Sequence, residues 1–109
     1  MSLGCWKDVR QNSAIPTLEN STPILDGYHQ ERRRPVLKCA KAASFYEYDT
    51  FAIQDSGYCS SSKNASKSYS KYGESSHCAT NGQGGTNLNE VYKLIDGKIG
   101  IFILRAIIH

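Results

Sequence analysis

The side chains with chemical reach in this chain are four cysteines, three histidines and a scatter of aromatic, amide and carboxyl groups. Cys5, Cys39, Cys59 and Cys78 stand far apart, without the C-x-x-C pairs that zinc ribbons and thioredoxin-like redox sites use. Cys59 with His77 is a conceivable thiol–imidazole pair, and Cys78 follows His77 directly. Adjacent strand residues point to opposite faces, however, and no third group stands ready to orient a base. A zinc site built from the cysteines with His29 or His77 lacks any local chelate. Asp26, Asp55 and Asn81 lack the D-x-D-x-D-G spacing of a calcium loop. No catalytic residue, metal or cofactor is therefore expected. Widely spaced, even-numbered cysteines in a short chain rich in Ser, Tyr, Gly and Asn point instead to structural disulfides in an oxidising compartment.

What remains is the chemistry of hydroxyl recognition. A sugar site needs a flat aromatic face beside amide and carboxylate groups that read hydroxyls. Trp6, Tyr58, Tyr69 and Tyr72 are the candidate faces; Gln54, Asp55, Asn81 and Asn89 are the candidate polar readers. Each has a structural alternative. Trp6 beside Cys5 can pack on a disulfide, and Tyr69 and Tyr72, three apart, can share a helix face turned to the core. Asn81 can simply take the left-handed turn of a glycine loop.

The scaffold for these groups is small. A chain of 109 residues is one domain in length, and its 39% hydrophobic content is low and weighted to seven tyrosines. Covalent staples compensate for such a core. Four cysteines allow three pairings, and sequence alone does not choose among them. Cys39–Cys59 with Cys5–Cys78 leads, because the first joins an expected helix to the strand after it and closes a loop worth roughly 3 kcal/mol. The net charge is +3. Arg32-Arg33-Arg34 reads as a solvated run, with an anionic partner such as a glycosaminoglycan as the alternative. Acidic residues are interspersed throughout and no basic stripe carries interleaved aromatics, which argues against nucleic acid.

Pro16, Pro23 and Gly27 punctuate a loop over 11–30, after a short edge strand over 3–10. Pro35, in the first turn, opens a helix over 33–45, whose stripe of Val36, Leu37, Ala40 and Ala43 or Ala42 has Cys39 beside it. Thr50–Gln54 alternates and reads as the central strand, followed by a turn at 55–57 and then Tyr58-Cys59. A short helix over 64–71, capped by Asn64 and ended by Gly73, competes with an ordered loop. A glycine loop at 81–85 leads to a strand at 91–95, a hairpin turn at Asp96-Gly97 and a strand over 98–108. That last segment is densely apolar, but too short and too interrupted by Arg105 to cross a membrane. The expected fold is therefore α+β: a small disulfide-stapled domain, one main helix packed on a short antiparallel sheet. The module spans 1–94, and 95–109 is an apolar tail foreign to it. The oligomeric state is not readable.

The string Gly4-Cys5-Trp6-Lys7-Asp8, followed by Ala14-Ile15-Pro16-Thr17-Leu18-Glu19 and Leu25-Asp26-Gly27-Tyr28, resembles a cysteine-containing module repeated in extracellular proteins of marine invertebrates. Lys38-Cys39-Ala40, Phe51-Ala52-Ile53-Gln54-Asp55, Gly57-Tyr58-Cys59, Tyr69-Ser70-Lys71-Tyr72-Gly73, Cys78, Gly82, Gly84-Gly85 and Asn89-Glu90-Val91-Tyr92 continue the match to about residue 94. The module is distantly similar to WSC and PAN/apple-type domains, which share the opening Gly-Cys-aromatic-x-Asp, a cysteine-bearing helix and an aromatic-Cys after a strand. The relatives carry Gly at Ser56, Trp at Tyr58, Asp at Asn81 and Pro-Trp-Ala at Thr86-Asn87-Leu88, and WSC domains hold about twice as many cysteines. The resemblance implies a secreted or cell-surface module that binds glycans or extracellular glycoproteins, or that serves structural adhesion, without catalysis. Met1-Ser2-Leu3 runs directly into the module with no leader, so the chain is expected to be a fragment of an exported protein. Asn20-Ser21-Thr22 and Asn64-Ala65-Ser66 make Asn20 and Asn64 expected glycosylation acceptors.

Overall fold

The strand Thr50–Gln54 decides the architecture, because its first four residues are buried and both of its faces must therefore be covered. The computed structural model describes residues 1–95. In it, β2 (Thr50–Gln54) lies inside a four-stranded sheet of order β1-β4-β2-β3, with β1 at Ser2–Lys7, β3 at Tyr58–Ser61 and β4 at Leu88–Lys93. Every pairing is antiparallel. The expected hairpin turn at 96–97 and strand at 98–108 lie outside the described residues.

Phe51 and Ile53 face α1 (Pro35–Phe45), which sits across the sheet with Leu37, Cys39, Ala40, Ala42 and Ala43 buried. The alanines let the helix approach closely. Leu18, Leu25 and Leu94 complete this cluster, and Tyr92 stacks on Phe51 with ring centroids 5.2 Å apart. The opposite face buries Ala52 and Val91 beneath Ala14, Ile15 and Ala65 of α2 (Ala65–Ser68), a single helical turn. Trp6, Tyr69 and Tyr72 pack against that second cluster. The fold is α+β and disulfide-stapled, as expected for one main helix on an antiparallel sheet; the second face is closed by loops and one helical turn. No described helix is long and apolar enough to cross a membrane.

The two bridges act differently. Cys39–Cys59 ties α1 to β3 inside the core, both residues having no exposure. Cys5–Cys78 pins the segment after Gly73 along β1, where the Lys7 amide donates to the Gly73 carbonyl and the Ser75 amide to that of Cys5. At the other edge, residues 16–18 cover β3 through Leu18 N–H to the Cys59 carbonyl and Ser61 N–H to that of Pro16. Both sheet edges are thus occupied, which removes the open hydrogen-bonding rows that promote aggregation.

Several local expectations are corrected. The first strand ends at Lys7, because the chain turns at Asp8, whose carboxyl accepts the Ala14 amide at 2.8 Å. β4 begins three residues before the expected 91–95, since Leu88 already pairs with Lys7. The helix over 64–71 shrinks to one turn, and Asn64 stands at its N-cap without a side-chain cap bond. Gly82, not Asn81, takes the left-handed conformation of the glycine loop. The arginine run is not uniformly solvated. Arg33 and Arg34 are exposed, but Arg32 is only 7% exposed. Its guanidinium binds Glu19 through two 2.8 Å hydrogen bonds and also donates to the Gly57, Asp26, Leu25 and Gly27 carbonyls. The loop 19–32 has no periodicity to shape it, so this one buried cation does.

Candidate functional site

The second face of the sheet changes character at one end. On β2 the inward position two after Ala52 is Gln54; on β4 the position two before Val91 is Asn89; past β1 the position two after Trp6 is Asp8. Tyr58 of β3 stands opposite Gln54. An apolar row thus gives way to a polar row that crosses the sheet. Gln54 knits it together: its Nε2 donates to Asp8 Oδ2 at 2.7 Å and to Asn89 Oδ1 at 2.9 Å. Asn89 is 1% exposed and its Nδ2 has no hydrogen-bond partner among the described residues. It supports Gln54 from below.

Over this row lies a cleft of about 230 Å³, walled by Asp8, Gln54, Asp55 and Tyr58 from the sheet side and by Arg10, Ser13 and His29 from the long loop. Asp55 occupies the β2–β3 turn with φ of 49°, followed by Ser56 at 74°. The turn is held by its own amides, Asp55 N–H to the Gly85 carbonyl and Ser56 N–H to that of Gln83. The glycine loop is required here: a Cβ on Gly84, itself at φ 71°, would stand 2.3 Å from the Ile53 carbonyl oxygen. Gly57 plays the matching part for the loop wall, since a Cβ there would lie 2.1 Å from the His29 carbonyl oxygen.

His29 Nε2 lies 3.1 Å from Asp55 Oδ2, which also accepts from the Gln30 side-chain Nε2 at 2.7 Å. The His29 hydrogen bond, aided by Gln30 and outweighing partial desolvation, holds the Asp55 carboxyl below its ordinary value. The His29 ring also meets Tyr58 edge-on at 5.2 Å, fixing the tyrosine in the wall. Among the described residues Asp55 Oδ1 and Gln54 Oε1 accept no hydrogen bond, which leaves two acceptors and an aromatic ring in one cleft. No three His, Cys, Asp or Glu side chains of the described residues gather as a metal site. All four cysteines are bridged.

Of the residues singled out from sequence, Gln54, Asp55 and Tyr58 share the cleft and Asn89 lies under it. Trp6 and Tyr69 lie elsewhere, packed edge to face at 5.1 Å, with Trp6 Nε1 donating to the Leu3 carbonyl. Tyr72 donates its hydroxyl to the Asn12 carbonyl and borders another, shallower recess. Asn81 is exposed in the glycine loop and accepts the Gln83 amide. Asp8, Arg10, Ser13 and His29 were not singled out as ligand readers; the signal available was Asp8 in the Gly-Cys-Trp-Lys-Asp string, and none marked the loop residues. Asn20 and Asn64 are both exposed. Searches of the chain against protein-family models and against curated proteins find no match.

Proposed function

We propose that this protein is a non-catalytic extracellular module that binds carbohydrate on glycoproteins or matrix, through the cleft of Gln54, Asp55 and Tyr58. The observation that carries the reading is the juxtaposition of one aromatic ring with two unengaged acceptors in a pre-formed recess. Tyr58 supplies a face for a pyranose ring, while Asp55 Oδ1 and Gln54 Oε1 accept from hydroxyls. Pre-organisation favours binding, since Gln54, Asp55 and Tyr58 are each already held by neighbours. The two disulfides are compatible with an oxidising compartment, and the resemblance to WSC and PAN/apple-type modules supports the same class.

A glycan array probed with oxidised protein tests this, the expected outcome being selective binding that Tyr58→Ala reduces about tenfold or more without lowering Tm. Background signal across the array sinks the reading. It would then favour a protein-adhesion module, for which one observation speaks: Phe45 is 67% exposed at the end of α1, edge-on to Tyr46, which stacks on Tyr48.

A further inference from the structure

The cleft does not end at Arg10. It shares Asp8 and Arg10 with a recess of about 450 Å³ bounded by Val9, Gln11, Thr86 and Asn87. That recess in turn shares Asp8, Val9, Thr86 and Asn87 with another of about 610 Å³, which reaches Lys7, Tyr72 and His77. The three make one groove across the end of the sheet, from Tyr58 to Tyr72. The cleft alone falls below the roughly 300–1,000 Å³ of small-molecule sites, whereas its extensions fall within that range. A single sugar unit fits the cleft, and the groove has room for its neighbours.

Two cations, Lys7 and Arg10, and two carboxylates, Asp8 and Asp55, line the groove. Asp8 is the single carboxyl group among the residues lining the two extensions, and it is 8% exposed, with one oxygen taken by the Ala14 amide and the other by Gln54. Asp55, in the cleft, faces His29 at 3.1 Å. Arg10 and Lys7 are exposed and take part in no ion pair among the described residues. Both carboxylates already accept hydrogen bonds within the protein, whereas the exposed Arg10 and Lys7 keep donors that no described ion pair takes up, so a ligand carboxylate has cations within reach.

We infer that the groove binds a carboxylated oligosaccharide several units long, its carboxylate received by the Arg10 guanidinium. This rests on the carbohydrate reading of the cleft and adds its substrate class. A planar guanidinium accepts a carboxylate in two parallel hydrogen bonds, a match that neutral sugars do not offer. With Tyr58 stacking one unit and Arg10 gripping the acid beside it, the remaining units run over Thr86 and Asn87 towards Lys7 and Tyr72.

Isothermal titration with a polyuronate tetramer, the same tetramer with its carboxyls reduced to alcohols, and the uronic-acid monomer tests the inference. The acidic tetramer is expected to bind at least about tenfold tighter than the reduced one, as a charged hydrogen-bonded pair implies. That ratio shrinks as salt rises from 50 to 500 mM, the pair being solvent-exposed (order-of-magnitude screening lengths of about 14 and 4 Å). Arg10→Gln brings the ratio close to one, Lys7→Gln lowers it independently, and Arg33→Gln, outside the groove, leaves it as it was. Equal affinity for acidic and reduced tetramers overturns the acidic ligand while leaving carbohydrate binding standing. A monomer as tight as the tetramer overturns the extended groove, and failure of every sugar to bind removes both proposals together.

Discussion

Arg32 and Glu19 show how a single pair can shape a loop that has no secondary structure of its own. The Arg32 side chain has no exposure and that of Glu19 14%. Removing the cation strands a part-buried carboxylate and four carbonyls, so Arg32→Ala should cost about 3–5 kcal/mol in urea unfolding, a large share of a small domain's stability. Burial by itself would raise the Glu19 carboxyl, but the Arg32 hydrogen bonds and charge and the Cys59 amide hold it below its ordinary value. A carboxyl depressed in the folded state adds stability that is present above its unfolded value near 4.5 and is lost as pH falls through the folded one. Acid unfolding followed by circular dichroism should therefore begin below about pH 4.5, and Glu19→Gln should flatten that acid limb. Tyr92 gives the opposite case. Burial, with the Glu90 charge adding, pushes its hydroxyl up to about 12. Its contribution is intact below the unfolded value of 10.0 and is lost as pH rises through the folded value. An absorbance titration should show one tyrosine ionising late, near pH 12, and Tyr92→Phe should remove that step.

At the scale of elements, the β2–β3 turn is the most exacting piece. Asp55 and Ser56 both hold left-handed backbone, where only glycine is free of penalty. Ser56→Gly should thus stabilise the domain by roughly 1 kcal/mol, raising Tm by about 4–8 °C, while leaving the Asp55 carboxyl in place. Gly57→Ala should do the reverse: it drives the His29 carbonyl outward and opens the loop wall, so ligand affinity falls along with Tm. Much of this framework was legible. Phe51 and Ile53 alternate as only a buried strand does, Pro35 marks a helix start, and the glycines at 82–85 announce a tight loop. The cleft was legible in half. Gln54, Asp55 and Tyr58 flank a recognisable turn, but Arg10, Ser13 and His29 reach it from a loop whose path is set by side-chain to backbone bonds. Those bonds leave no periodic trace. The arginine run misled for the same reason, because one buried arginine is indistinguishable from its exposed neighbours until the carbonyls around it are known.

For the whole molecule, two crosslinks stand in for a large core. On the chain-entropy account Cys39–Cys59, 20 residues apart, is worth about 3 kcal/mol and Cys5–Cys78, 73 apart, roughly 4, together comparable to the entire stability of a domain this size. Reduction should lower Tm by tens of degrees, and the Cys5→Ser/Cys78→Ser double variant should raise hydrogen exchange first at the Lys7 and Ser75 amides, where the covering segment leaves β1. The two bridges and the covered edges hold the sheet together, and Arg32, through the Gly57 carbonyl, ties the long loop to the turn beside the polar row. The most direct test of that row as a ligand site is an amide-detected NMR titration with a bound glycan. Shift changes are predicted at the Gln54 side-chain amide and the backbone amides of Arg10, His29, Asp55 and Tyr58, with Phe45 and Tyr46 unmoved. Changes centred on Phe45 and Tyr46, with the cleft silent, would contradict the account.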